Sequence, residues 1–455
     1  MRFAGLPQCL EAYCDDINVL TNKSSDFLVL DCAVRKFEQV SGAILSREKK
    51  CKVLGFGSWK DKSVWPLDYL VCVKELKVFG IFIVDSYRGM LKKNWDFRFE
   101  KFLDAIKTWS PRVLDTLSQR VEVLGTFALS RVYYVASILP INKTMVNKFE
   151  KEIGKFLWKS SGRVLRVSID DLKNSDAKGG LGLPCVSAKA RSLMLCQLLR
   201  LLKSGDMKSV ANISYWIGEL LGVLDAGLDH GVHAVVVPAY FEHVADLLAE
   251  GMAADWVTSG NWKTRSNRLI YSEHARSFSV TKAEGDAGVS LKVVWKRLSS
   301  PVLSGSARDV LFLLIHNKLP VRERLFRIGL TVDPYCQVCP GGIIADVAHY
   351  FCACSGVAPV WGWVRARLVD ILGVASAQCS DWEFINLFFP GSNCENEATW
   401  LVGTFAAWVW REIYTYGKAW LRAEQFFGFL RFKYKSDQLG ARLPLTISNI
   451  FGGST

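Results

Sequence analysis

Apolar positions in this chain recur mainly at helical spacing. Phe27, Leu30, Val34 and Phe37 follow an i, i+3, i+7, i+10 pattern, and Ser24 or Ser25 stands where a helix N-cap belongs. Phe99, Phe102, Leu103 and Ile106 make a second apolar face, with Lys92, Lys93, Arg98, Lys101 and Lys107 mostly off it. Val146, Phe149, Ile153, Phe156 and Leu157 make a third, opposed by Lys148, Lys151, Lys155 and Lys159. Ser110-Pro111 reads as an N-cap and first-turn pair. Helical patterning returns from Val210 to about Val257 and over Ala307–His316. Trp361, Trp363, Trp400, Trp408, Trp410 and Trp420 fall at helical spacing and are expected mostly in a core.

Strand patterns are few and lie near the start. Ala12–Cys14 and Ile17–Leu20 flank a polar tip, Asp15-Asp16, and Val53–Gly55 and Leu76–Val84 read as further strands. Gly80 interrupts the last of these, and the expectation is a close approach of backbone or nucleic acid there. The balance predicts an α+β fold that is mostly α.

Composition sets the class. A length of 455 residues suggests roughly two to four domains, and half the residues are hydrophobic, enough for a sizeable core. No apolar run reaches the ~18 residues of a membrane span, so no membrane partner is expected. Net charge is +13, and its placement matters more than its size. Residues 86–203 hold 22 Lys and Arg against 10 Asp and Glu, whereas residues 1–85 and 204–455 are close to balanced. So concentrated an excess suits a phosphate backbone, which makes the lysines named above candidate nucleic-acid contacts. The 13 cysteines are odd in number and scattered, and Met1-Arg2-Phe3 opens no signal peptide. Reduced thiols in a nuclear or cytoplasmic setting are expected.

Two constellations carry chemistry. Neighbouring strand side chains point to opposite faces, but a tight hairpin tip brings Asp15 and Asp16 together, a ready site for a hard cation such as Mg²⁺. Farther on, Cys336-x-x-Cys339 is followed by His349 and Cys354, one short pair at each end. Two thiolates on one turn can reach one ion, and Pro340-Gly341-Gly342 turns the chain back to bring the second pair, so four ligands converge on tetrahedral Zn²⁺. Cys352 is an alternative to Cys354 as the fourth ligand. Four protein ligands leave no open position, so the expected role is structural or nucleic-acid-binding. His230 and His233 also have ligand spacing, without a third ligand nearby; they and His243 read as ordinary histidines.

Tyr13-Cys14-Asp15-Asp16 resembles the Tyr-Ala-Asp-Asp box of reverse transcriptases, with Cys14 in the alanine place. Phe37-Glu38-Gln39-Val40-Ser41-Gly42-Ala43 with Lys49 resembles the next palm motif of non-LTR (LINE-type) retrotransposon enzymes, and Glu75-Leu76-Lys77-Val78-Phe79-Gly80-Ile81 the hairpin after it, in the family's order. Trp158, Gly179-Gly180-Leu181-Gly182-Leu183-Pro184 and His316–Leu325 resemble later segments, and the His-x4-Cys spacing of the family favours Cys354. The lysine and arginines of His316–Leu325 are candidate phosphate contacts. Ser46 stands where the family usually has Asn.

The resemblance implies a partial palm over 1–84, a basic helical thumb over 85–205, a helical connector over 206–300 and a C-terminal zinc-binding domain over 301–455. It implies an RNA-directed DNA polymerase in which Asp15 and Asp16 help hold two Mg²⁺ ions, one activating the primer 3′-hydroxyl and one neutralising the leaving pyrophosphate. Lys49 would sit near the triphosphate as proton donor or charge partner. RNA template and DNA are the implied partners, with an intact retroelement polymerase in trans as a further one. The family places a third metal-binding aspartate on an earlier strand, and almost nothing precedes residue 12. The expectation is a fragment that does not extend primers alone. The competing expectation is a binding module that holds RNA or DNA through the basic helices and the zinc motif without catalysis.

Overall fold

The computed structural model describes residues 10–13, 16–21, 23–47, 51–62, 64–109, 114–158, 167–204, 237–249, 267–275, 291–415 and 421–439, with helical positions at 211, 213 and 215–217. The chain is mostly helical with small sheets, as the patterning predicts.

Three two-stranded sheets occupy the N-terminal part of the described residues. Strands β1 (Leu10–Tyr13) and β2 (Asp16–Val19) pair antiparallel with Tyr13 opposite Asp16, so Asp16 opens the returning strand and is not at the tip. Strands β3 (Lys52–Val53) and β4 (Val71–Cys72) pair parallel. Strands β5 (Glu75–Val78) and β6 (Ile81–Val84) form a tight hairpin. Gly80 lies in its turn and not within a strand: Phe79 and Gly80 have φ of 46° and 81°, the mirror-image turn that matches strand twist. Phe79 pays no heed to side-chain preference here because its carbonyl accepts the Tyr134 hydroxyl at 2.6 Å and that of Gly80 accepts Arg98 at 3.2 Å.

Helix α1 (Ser24–Ser41) follows the first hairpin. Lys23 occupies its N-cap without a side-chain bond, so neither serine caps it; Ser24 already has helical geometry. Gly42 ends it at φ 72°, the left-handed conformation usual at a helix C-terminus.

The basic segment is helical: α2 (Tyr87–Thr108), α3 (Leu117–Val123), α4 (Ser130–Ala136), α5 (Lys143–Trp158), α6 (Ile169–Lys173) and α7 (Val186–Lys203). A π-helical turn over Leu124–Ala128 joins α3 to α4. Phe102, Phe149, Ile153, Phe156 and Leu157 are buried on the faces their spacing predicts. Beyond these lie α8 (Ala239–Ala249), α9 (Asn267–Ala275), α10 (Lys292–Leu298), α11 (Gly305–Ile315), α12 (Arg322–Arg327), α13 (Ala358–Leu372), α14 (Asp381–Ile385), α15 (Glu395–Val409) and α16 (Ala423–Leu439). None of the described helices is long and apolar enough to cross a membrane.

One buried core runs from Ile81 to Leu430, so helices before residue 204 and after residue 291 share it. The C-terminal half of α7 packs a second, smaller core with α8 and α9 through Leu198, Val244, Leu247 and Ile270. Trp361, Trp400 and Trp408 are buried, and Trp363 and Trp410 pack half-buried against the same core; Trp420, the Ser110-Pro111 pair, His230 and His233 lie outside the described residues. Polar keys lock the shared core. The Arg120 guanidinium donates to the carbonyls of Leu114 and Leu157, and that of Arg297 to Leu387 and Phe389 at 2.9 and 2.7 Å. These bonds offset most of the penalty of burying the two guanidinia, although the Arg297 Nε has no partner among the described residues.

Candidate metal centre

The chain enters the centre from α12. The Arg322 fork grips Asp333 at 3.2 and 3.0 Å, and the same carboxylate accepts the Tyr335 backbone N–H at 3.0 Å. Tyr335 and Ile344 then face each other in an antiparallel bridge, with Cys336 N–H donating to the Ile343 carbonyl at 2.7 Å and Ala345 N–H to that of Pro334 at 2.9 Å. Gly341 and Gly342 make the reversal at φ 88° and 68°, a region that favours glycine. A π-helical turn over His349–Ala353 leads into Cys354, whose N–H donates to the His349 carbonyl at 2.7 Å. Asp346 accepts the His349 N–H at 2.7 Å and fixes the start of that turn.

These pieces bring Cys336, Cys339, His349 and Cys354 together, one ligand atom from each lying within 4.8 Å of all the others. The Cys336–Cys354 and Cys339–Cys354 sulfur pairs are 3.9 Å apart. Thiolates at ~2.3 Å from a tetrahedral ion would be about 3.8 Å apart, so the spacing suits a four-coordinate ion. The His349 Nε2 atom is buried and has no hydrogen-bond partner among the described residues. Backbone N–H groups of Val338 and Ser355 point at the sulfurs of Cys336 and Cys339, at 3.4 and 3.2 Å, and favour negative sulfur.

The electrostatics divide the thiols. Bonds from the Ser355 hydroxyl and N–H hold the Cys339 thiol below its ordinary pKa. Burial pushes Cys354 up to about 12. Cys352 is buried too, and burial raises its pKa, but it stands outside the converging set. Of the two alternatives for the fourth ligand, Cys354 is the one brought in. The set can hold a metal, and its composition is compatible with Zn²⁺. Sequence spacing picked out the four ligands but not Asp346 and Ser355, whose signal is only that they lie three residues before one ligand and next to another.

Asp16 lies on β2, whereas Asp15 and Lys49 lie outside the described residues. Among the basic candidates, Lys93 pairs with Glu75 at 3.0 Å, Lys101 with Asp104 at 3.5 Å and Lys155 with Glu152 at 2.7 Å. Lys92, Lys148 and Lys151 are exposed, and Lys159 lies outside the described residues. Of the candidate phosphate contacts in His316–Leu325, Arg322 is engaged with Asp333, and Arg324 is buried and donates to the Lys318 carbonyl at 3.2 Å. His316 is buried, with Nε2 2.8 Å from the Gly179 carbonyl and its ring stacked on Trp295.

No protein-family model and no curated protein sequence matches this chain.

Proposed function

We propose that this chain is a polynucleotide-binding part of a non-LTR retrotransposon reverse transcriptase, with palm, thumb, connector and zinc-binding segments in that order. The observation that carries the reading is the convergence of Cys336, Cys339, His349 and Cys354, the constellation that the sequence resemblance predicts at this point of the chain. Those four residues would hold Zn²⁺, which gives the knot its rigidity and leaves no position for substrate. The exposed Lys92, Lys148 and Lys151 support a cationic helical surface for RNA template and DNA.

In the intact family protein, Asp15 and Asp16 would help hold Mg²⁺ for nucleotidyl transfer, with Lys49 beside the triphosphate. Two carboxylates give too few anchors for a pair of ions, so this chain by itself binds polynucleotide and does not extend a primer. An intact polymerase in trans would supply the rest.

Filter binding of RNA and DNA across a salt series tests the binding reading; the expected result is tight binding at low salt that weakens steeply as salt rises. Absence of binding at low salt overturns it. Primer extension on an RNA template with Mg²⁺ and deoxynucleotides tests the rest. Robust extension that Asp15→Asn abolishes would restore the polymerase.

A further inference from the structure

The outer surface of the metal centre is apolar rather than cationic. Phe326, Ile328, Leu330, Val332, Tyr335 and Ile344 are all exposed, Val332 by 93% and the others by 43–59%. They form one neighbourhood. Leu330 N–H donates back to the Leu325 carbonyl, the Thr331 hydroxyl to that of Arg322, and Tyr335 and Ile344 are paired across the bridge. Two arginines of this stretch are paired with carboxylates, Arg322 with Asp333 and Arg327 with Glu323.

We propose that this surface is an interface between two copies of the chain. Taking all six at roughly the 200 Å² of an aromatic side chain gives an upper figure on the order of 700 Å² exposed, somewhat under the ~800 Å² that each partner of a standard interface contributes. Apolar patches of that size mark interaction sites rather than ordinary surface. The charge pattern selects the partner. A polynucleotide needs uncompensated cations, and here Arg322 and Arg327 are engaged by carboxylates. The excess of a chain of net charge +13 lies in residues 86–203, whereas residues 204–455, which carry this surface, are balanced, so repulsion between copies is least there. A patch that is neutral and apolar is its own complement, as a two-fold interface requires.

Sedimentation velocity of the full, zinc-loaded chain in 0.5 M salt, over a concentration series into the tens of micromolar, reads the association. The expected result is a monomer–dimer equilibrium that persists or tightens as salt rises. Val332→Asp and Ile344→Asp, made separately, weaken it at least a hundredfold while zinc content stays at one ion per chain. A chain that remains monomeric throughout the series overturns the proposal. So does a dimer that high salt dissolves, or one that neither substitution affects while zinc is retained. A loss of zinc in one variant moves the test to the other, and to Leu330→Ser as a milder third.

Discussion

The Asp309 carboxylate on α11 accepts the backbone N–H of Leu117, the first residue of α3, at 2.8 Å across 192 positions of sequence. It supplies from a distant helix a cap that helices usually find next to themselves. Thr116 and Gln119 complete the same helix start with a local capping box. The two halves of the shared core are therefore pinned at a helix terminus as well as by apolar contact.

That pin is pH-sensitive. Burial pushes the Asp309 pKa up to about 6 from 3.8. Between those values the folded chain holds a proton that the unfolded chain has released, so the contribution to stability falls as pH rises from about 4 to above 6. At pH 8 the buried charge costs up to about 3 kcal/mol, at ~1.4 kcal/mol per pKa unit. Asp309→Asn keeps an acceptor for Leu117 and removes the charge. Urea midpoints should show the variant more stable than wild type at pH 8, with the gap closing toward pH 5. A constant gap at every pH would exclude titration of Asp309 as the cause.

Metal removal is expected to loosen the C-terminal part, since a closed site transfers its binding energy to folding. A strong chelator should lower the melting temperature. Cys339→Ala and His349→Ala should abolish stoichiometric zinc, measured by elemental analysis of the purified chain. Cys352→Ser separates the two possible fourth ligands: it should retain one zinc per chain, whereas Cys354→Ser should not.

The cationic face of α5 makes a second, independent expectation. Lys148 and Lys151 are exposed, while Lys155 is bonded to Glu152 at 2.7 Å. If Lys148 and Lys151 meet phosphate, Lys148→Ala with Lys151→Ala should weaken RNA and DNA binding about equally. It should also lower the slope of log affinity against log salt by ~2. Lys155→Ala should change the slope less. Unchanged slopes would place the phosphate contacts elsewhere on the molecule.

Why some of this was readable in the sequence and some was not follows from range. The face carrying Phe149, Ile153 and Phe156 is set by helical periodicity, and the Cys336–Cys339 turn by a two-residue gap; both are local and both are seen. The partner of a face is not local. Nothing in the spacing around Asp309 names Leu117, and nothing around Lys93 names Glu75, because each pair is made by the packing of separate segments. Gly80 shows the same limit at short range. Its freedom was legible, but whether it served a strand or a turn depended on the pairing of Val78 with Ile81.

Gly179 offers the sharpest test of that long-range packing. It lies at φ 75°, and a Cβ added there would come within 2.6 Å of the Trp295 ring. Its carbonyl also accepts from His316, whose ring stacks on the same tryptophan, so backbone and both rings are held together. Gly182, three residues on, has φ of 64° but open space where a Cβ would go. Left-handed backbone alone costs an alanine about 1–2 kcal/mol. Overpacking a well-filled core adds about 1–3 kcal/mol. Gly182→Ala should therefore show only the first cost, and Gly179→Ala both, as a larger drop in the urea midpoint. Trp295→Leu in the Gly179→Ala background should recover part of the second cost by removing the ring that the new methyl meets. Equal losses for the two glycine variants, with no recovery, would mean that Trp295 does not pack on this turn.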